Sequence, residues 1–155
     1  MATDIQKIVE AEGPIHVKHL GIRLLSAVGA TRSGARISRA ILQATAMAEQ
    51  NRWVKLDGEF LLSPSKEISV RGRQELAANE RKFDFIFDGE IGKAAIETVD
   101  ETYSIAKDEL VKSIAEVLGF SSTSKAMKLR IEAVLEELEA RSELSVSGGV
   151  YRAQA

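Results

Sequence analysis

Apolar residues recur at three- and four-residue spacing in several short stretches near the start of the chain, and glycine or proline separates these stretches. The first stripe, from Ile5 to Val9, predicts a short helix that the Gly13-Pro14 pair ends. The second stripe runs from Leu20 to Val28 and predicts a helix that Gly29 closes in a left-handed conformation. The pattern therefore begins with two helices in fewer than thirty residues.

A third helix and a hairpin follow. Thr31 or Ser33 is expected to cap that helix. Its predicted inward-facing side chains are Ile37, Ile41, Ala44 and Ala48. Apolar residues between 53 and 62 surround an Asp57-Gly58 pair, which favours a tight hairpin turn. Three helices followed by a hairpin are the elements of a winged helix, in which the third helix enters the major groove of DNA.

The same pattern recurs 90 residues later. Gly29 aligns with Gly119, and other glycines and apolar residues follow the same offset. Identical apolar pairs include Ile15 with Ile105, Leu20 with Leu110 and Ile41 with Ile131. The sequence therefore predicts a mainly α-helical protein with small β-hairpins, built from tandem winged-helix repeats packed as one body. The first copy is expected over residues 1–63, a connector over 64–89 and the second copy over 90–155.

The connector has a different pattern. We predict a strand from Ile68 to Val70 and a helix from Gln74 to Lys82. In the sequence FDFIF that follows, strand alternation places Phe83, Phe85 and Phe87 on one face. We expect these rings to help the two copies pack together, because a winged helix of about sixty residues has little core of its own.

Composition is that of a globular chain. Hydrophobic residues make up 45% of the 155 residues, enough for one ordinary core or two small ones. No apolar run approaches the roughly 20 residues that a membrane-spanning helix needs, and the N-terminus lacks the pattern of a signal peptide, so we expect a cytoplasmic protein. The absence of cysteine from the sequence excludes disulfides, thiol catalysis and zinc ribbons.

Charge is divided unevenly between the two copies. Residues 14–63 contain seven Lys or Arg and three Asp or Glu, a net charge of +4, although the whole chain carries -2. Helical spacing places three arginines and a glutamine along one face of the third helix, where cations and amides can reach phosphates and base edges. The candidate DNA-binding residues are Arg32, Ser33, Arg36, Arg39, Gln43, Arg52 and Lys55. The alternative interpretation is a solvated helix face.

The second copy has the opposite balance. Residues 93–155 contain eight Lys or Arg and eleven Asp or Glu, a net charge of -3. Its third helix carries four glutamates, at 132, 136, 137 and 139, and we expect this face to contact a partner domain or the first copy. Lys125 and Lys128 are secondary phosphate candidates because backbone amides at a helix start attract anions, although simple capping by the preceding serines is the alternative.

Motifs for catalysis and cofactor binding are absent from the sequence. Neither GxxxxGK[ST] nor GxGxxG occurs, so we expect no nucleotide hydrolysis. His16 and His19 are three residues apart, but there is no other His and no Cys to complete a metal shell, so we expect both on a helix surface. Trp53 is expected to pack beneath the hairpin rather than stack on a base. These observations predict a protein that is not an enzyme and has no cofactor or metal.

The stretch IVEAEGPIHVKHLGIRLLSAVGATRSGARI closely resembles a bacterial domain of unknown function found at the C-terminal end of very large superfamily-1 helicases. In that family the domain follows a helicase core and an endonuclease-like domain related to very-short-patch repair nucleases. The resemblance runs from Ile8 to Pro64, with EAEGPIH and Phe60 as its most specific features, and DGEIGKAAIETV and ELVKSIAEVLGFSSTS resemble the region that follows. It implies a context, an appendage to a DNA-handling protein, but no defined activity.

Together, the residues and the resemblance favour a non-catalytic accessory module of a helicase or nuclease-type protein. We expect it to bind duplex DNA, mainly by phosphate contacts from the first copy. The alternative is a protein-interaction or dimerisation module whose acidic second copy docks a helicase or nuclease domain. The expected partners are therefore DNA and such domains, with no membrane.

Overall fold

The computed structural model describes residues 1–154, which form two compact units. Unit 1 comprises residues 1–68 and 84–87, and unit 2 comprises residues 69–83 and 88–154. The predicted connector, residues 64–89, is thus divided between the two units. The protein is mainly helical with two small antiparallel sheets. No helix in the described part of the chain is long and apolar enough to cross a membrane.

Unit 1 contains three helices and a three-stranded sheet. The elements are α1 (Ala2–Glu12), β1 (Ile15–His16), α2 (Val17–Ala27), α3 (Ala35–Gln50), β2 (Lys55–Asp57) and β3 (Phe60–Leu62). The strands lie in the order β1-β3-β2, and Leu61 pairs with Ile15 on one side and Leu56 on the other. The core consists of Ile5, Val9, Ile15, Leu20, Ala48, Val54 and Leu61. Trp53 packs against this core, as predicted.

Unit 2 has the same order of elements. They are α4 (Asp88–Thr102), β4 (Ser104–Ala106), α5 (Lys107–Val117), α6 (Lys125–Ala140), β5 (Leu144–Ser147) and β6 (Val150–Ala153). The strands lie in the order β4-β6-β5, and Tyr151 pairs with Ile105 and Val146. Apolar side chains from all three helices are buried, among them Ile91, Leu110 and Ile131.

The offset of 90 residues applies to the structure as well as to the sequence. Helices α5 and α6 begin and end 90 residues after α2 and α3. The pairs Ile15 with Leu61 and Ile105 with Tyr151 obey the same offset. The left-handed glycine Gly29 likewise corresponds to Gly119. We therefore call two residues that are 90 positions apart equivalent.

The connector differs from its prediction. Residues 68–70 form no strand, and residues 74–82 contain turns rather than a helix. Phe83–Phe85 is a single 3-10 turn, in which side chains do not alternate as they do along a strand. The three phenylalanines therefore do not share one face: Phe83 lies in unit 2, whereas Phe85 and Phe87 lie in unit 1.

The expectation of surface histidines was wrong. His16 and His19 are only 4% and 2% exposed. Their rings stack on Phe85, with centroid distances of 5.0 and 5.5 Å. His16 also caps α2, because its Nδ1 accepts a hydrogen bond of 3.0 Å from the backbone N–H of Lys18, and its Nε2 lies 3.3 Å from Glu59. Both rings are buried because Phe85, from a distant segment of the chain, packs against them.

Two local predictions, at the start of α3 and in the β2–β3 hairpin, also need correction. Gly34 occupies the N-cap position and supplies no side-chain hydrogen bond, so neither Thr31 nor Ser33 caps α3. The Ser33 hydroxyl instead lies 3.1 Å from the Ser38 hydroxyl. In the hairpin, Asp57 pairs with the residue at position 60, so the two loop residues are 58 and 59 rather than 57 and 58.

The predicted inward faces of α2 and α3 are less buried than expected. Val28 is 76% exposed, whereas its equivalent Leu118 is fully buried. In α3, Ile37 is 37% exposed, and Ala48 is buried. Helix α2 buries only His19 and Leu20. The position equivalent to Val111 is a glycine, and the remaining residues of α2 are partly or fully exposed. Unit 1 therefore has a smaller core than unit 2.

Candidate nucleic-acid interface

Helix α3 displays most of the candidate DNA-binding residues. Arg36, Arg39 and Gln43 are exposed. Successive helical residues are rotated by about 100°, which puts these three side chains on the side of α3 opposite the buried Ala48. Gln50 is exposed and follows Gln43 by two turns, so it extends the same stripe. The outer side of α3 therefore carries cations near its start and amides along its length.

The candidate residues form two groups rather than one cluster. Arg32 and Ser33 are exposed in the loop before α3, close to Arg36 in sequence. Arg52 and Lys55 are exposed after the other end of the helix. The 16 residues of α3 span about 24 Å, so the two groups lie a helix length apart. A single phosphate cannot contact both groups, but an extended polyanion can.

The cations of both groups are not neutralised by carboxylates. In the described part of the chain, no Asp or Glu lies within ion-pair distance of Arg32, Arg36, Arg39, Arg52 or Lys55. Arg23 of the same unit provides the contrast, because its Nε donates to Glu12 over 3.0 Å. The five cations can therefore contact an anion without first losing an ion pair.

Arg52 and Lys55 also have structural explanations. Arg52 has a left-handed φ of 59°, but its equivalent Ser142 has φ of 58°, so the turn imposes this conformation in both units. Lys55 lies on β2, an edge strand of the sheet, and lysine on an edge strand discourages pairing with other chains. The backbone conformation at these two sites therefore gives no information about DNA contact. Only the positive charge of the two side chains favours it.

Unit 2 lacks every cation of this set at the equivalent positions. The residues equivalent to Arg32, Ser33, Arg36, Arg39, Gln43, Arg52 and Lys55 are Ser122, Thr123, Ala126, Leu129, Ala133, Ser142 and Ser145. All of the replacements are uncharged. Because α3 and α6 occupy the same place in their units, the difference is one of surface chemistry and not of fold.

The secondary phosphate candidates are at the start of α6. Lys128 contacts two carboxylates, Asp108 at 3.3 Å and Glu132 at 3.8 Å, so an anion would have to compete with them. Lys125 is exposed. The Ser124 hydroxyl accepts a hydrogen bond from the N–H of Met127, which is the capping role that the sequence offered as the alternative.

The carboxylates of α6 influence neighbouring groups of unit 2. Burial alone would lower the pKa of Lys107, but a hydrogen bond and the negative charge of Glu132 outweigh it and raise that pKa. Burial raises the pKa of Tyr151, and the charges of Glu139 and Glu136 add to the effect. The glutamates of α6, which begin at position 132, would repel a phosphate backbone.

Several exposed apolar side chains on the outer sides of these helices were not among the residues predicted for the site. Leu42 and Met47 of α3 are 68% and 54% exposed, and Leu129 of α6 is 59% exposed. The missed signal is their position in the helical period, since Met47 falls four residues after Gln43 and Leu129 is equivalent to Arg39. Exposed leucine and methionine side chains add apolar surface, which a partner can bury in addition to making ionic contacts.

Residues 1–154 contain no group of three or more His, Asp or Glu side chains arranged to hold a metal ion. Unit 2 has a cleft of about 460 Å³ beside the α5–α6 turn, lined in part by Arg81, Glu116 and Phe120. The Arg81 guanidinium already donates a hydrogen bond of 3.1 Å to the backbone oxygen of Gln74. None of the predicted site residues lines this cleft.

Comparison with known families finds a match at the start of the chain. Residues 1–39 are similar to a family described as a protein of unknown function (DUF3320). The matched stretch contains α1, β1, α2 and the start of α3 as far as Arg39, and is shorter than the predicted resemblance from Ile8 to Pro64. No curated protein and no solved structure matches the chain. The match supports a domain of unknown function.

Proposed function

We propose that this chain is a non-catalytic DNA-binding module made of two winged helices, and that unit 1 binds duplex DNA mainly through phosphate contacts. In this proposal α3 is the recognition helix and the β2–β3 hairpin is the wing. The order of helices and strands in both units supports the assignment. The positions of Arg36 and Arg39 on the outer side of α3 suit contacts with a DNA backbone.

One observation carries the proposal: five exposed cations of unit 1 have no carboxylate partner within residues 1–154, and unit 2 has uncharged residues at all five equivalent positions. The fold alone does not require arginine or lysine at these sites, because unit 2 adopts the same elements without them. Exposed and unneutralised cations are the main source of affinity for DNA phosphates.

The context proposed for this activity is a larger DNA-handling machine. The similarity of residues 1–39 to a domain of unknown function assigns the chain neither an activity nor a partner. The resemblance noted in the sequence suggests a helicase or nuclease as the enzyme that the module accompanies. Binding duplex DNA through phosphates would hold the substrate near that enzyme without selecting a particular base sequence.

A second candidate function is docking of a helicase or nuclease domain by unit 2. The observation that favours it is the outer side of α6, where Leu129 is 59% exposed and the exposed carboxylates of Glu136 and Glu139 follow two to three helical turns later. Such a face suits a partner surface with an apolar centre and a basic rim.

The test exchanges surface residues between the units. A variant with Arg36→Ala and Arg39→Leu places the residues of unit 2 on α3, and arginine, alanine and leucine have similar helix propensity. We expect weaker binding to unrelated duplexes alike, with a log–log salt slope flatter by up to about two units. Fluorescence anisotropy over a salt series measures both quantities.

The matched control places unit 1 residues on α6, by Lys125→Ala and Lys128→Ser. We expect this variant to bind DNA like the wild-type chain, because Lys128 already contacts carboxylates. Loss of binding in the lysine variant, with full binding in the arginine variant, would move the DNA site to unit 2. If the wild-type chain binds no duplex at low salt, even at concentrations at which it is monomeric, the docking function replaces the proposal.

A further inference from the structure

The outer sides of α3 and α6 carry opposite charges at the same spacing. Arg36 and Arg39 are three residues apart on α3, and Glu136 and Glu139 are three residues apart on α6. All four side chains are exposed. Within the described residues, none of the four forms an ion pair. Each helix therefore presents two charges that a complementary surface can neutralise.

Apolar groups accompany these charges. Met47 of α3 and Leu129 of α6 are each more than half exposed. Three alanines, Ala126, Ala133 and Ala140, recur at seven-residue intervals on the exposed side of α6. A seven-residue repeat keeps side chains on one side of a helix, and small side chains let a second helix approach closely.

The two helices match only in an antiparallel orientation. Both contain 16 residues. Aligned end to end in opposite directions, they bring Arg39 beside Glu136, Arg36 beside Glu139, and Met47 close to Leu129. A parallel alignment would instead place the arginines beside the lysines of α6. The antiparallel orientation also opposes the two helix dipoles favourably.

From this match we propose that the outer side of α3 in one copy of the chain packs antiparallel on the outer side of α6 in a second copy. The two copies exchange the contact, so that each α3 and each α6 is covered. The contact covers the arginines of the DNA site, and this regulatory consequence rests on the proposed function. Self-association and DNA binding are therefore mutually exclusive.

The first experiment is sedimentation velocity on the full chain at low and high salt, with charge-reversal variants. We expect self-association at low salt that weakens about tenfold or more as salt screens the exposed charges. The α3 variant carries Arg36→Glu with Arg39→Glu, and the α6 variant carries Glu136→Arg with Glu139→Arg. Each variant alone should be monomeric, because both of its helices then carry the same charge.

Mixing the two variants provides the rescue. The reversed α3 of one chain meets the reversed α6 of the other, and the two unchanged helices also match, so an equimolar mixture should form a heterodimer. A wild-type chain that stays monomeric at low salt overturns the proposal. The proposal is also wrong if each variant alone associates as strongly as the wild-type chain. It is equally wrong if the mixture of the two variants remains monomeric. Circular dichroism checks that the variants keep their helices.

DNA binding distinguishes this proposal from the proposed function. A variant with Glu136→Gln and Glu139→Gln should bind duplex DNA at least as tightly as the wild-type chain, and added DNA should dissociate wild-type dimers. One outcome is that the wild-type chain stays monomeric and binds DNA, and that the variant with Arg36→Ala and Arg39→Leu loses this binding. In that case the DNA function stands and self-association is wrong. If wild-type dimers form but the Glu136→Gln, Glu139→Gln variant, which keeps both arginines uncovered, binds no DNA, self-association stands and the DNA function is wrong.

Discussion

At the residue scale, two equivalent glycines with left-handed backbones have different surroundings. Gly119 has φ of 105°, and a Cβ added there would lie 2.5 Å from the backbone nitrogen of Arg73. Gly29 has φ of 70°, and no atom lies within 4 Å of the corresponding Cβ position. Both glycines permit a conformation that other residues rarely adopt, but only Gly119 also makes room for a neighbouring chain segment.

Alanine substitutions at the two glycines should therefore differ in cost. Gly29→Ala should reduce the free energy of unfolding by about 1 to 2 kcal/mol, the strain of a left-handed alanine. Gly119→Ala should cost about 2 to 5 kcal/mol, because the backbone of Arg73 must also move. Chemical denaturation of both variants measures the difference, and equal costs would mean that the segment at Arg73 adjusts freely.

At the residue scale, the local sequence predicts helix ends but does not predict contacts with distant residues. The helix ends at Gly13 and Gly29 were predicted because breakers and left-handed glycines act through neighbouring residues. The burial of His16 and His19 was not, because Phe85 reaches them from nearly 70 residues further along the chain. Nothing near either histidine in the sequence indicates an aromatic partner.

At the element scale, a buried ion pair holds the irregular segment before Phe83 in unit 2. Arg73 and Glu90 are 2% and 0% exposed, and their two hydrogen bonds measure 2.8 and 2.7 Å. Glu90 also accepts a hydrogen bond of 2.9 Å from the backbone N–H of Arg71. These contacts fix the chain immediately before residues 74–82, where a helix was predicted and turns are found instead.

Removing one member of this pair should destabilise unit 2. Arg73→Met keeps much of the side-chain volume but leaves the Glu90 carboxylate buried without its cation, which costs about 3 to 5 kcal/mol. The matched control is Lys93→Met, which removes the partner of Glu97 in an exposed pair on α4 and should cost less than about 1 kcal/mol. Thermal unfolding compares the variants, and similar costs would argue against a structural role for the buried pair.

At the scale of the whole molecule, the sequence predicted the repeat better than its surfaces. The offset of Gly29 and Gly119 applied to both pairs of helices because core and turn positions repeat in type. Helical position places Met47 and Leu129 on the outer sides, but it does not establish their exposure, because an apolar residue in a helix is exposed only if no other element covers it. The charge difference between α3 and α6 was predicted from the sequence, whereas the matching apolar side chains were overlooked.

The two units should also differ in local stability. Helices α2 and α3 bury three residues between them, His19, Leu20 and Ala48. The equivalent helices α5 and α6 bury eight, namely Leu110, Val111, Ile114, Ala115, Ile131, Val134, Leu135 and Leu138. Opening a helix that buries less apolar surface costs less free energy, and each large buried side chain contributes about 1.5 to 3 kcal/mol.

Amide hydrogen exchange should reveal this difference. At high salt, without DNA, the amides of α2 and α3 should be protected at least about tenfold less than those at equivalent positions of α5 and α6, after correction for intrinsic rates, which corresponds to about 1.4 kcal/mol. As a matched control, Leu118→Ala should accelerate exchange in α5, whereas Val28→Ala should leave α2 unchanged because Val28 is 76% exposed. Equal or greater protection of α2 and α3 would show that surface burial does not govern the local stability of unit 1.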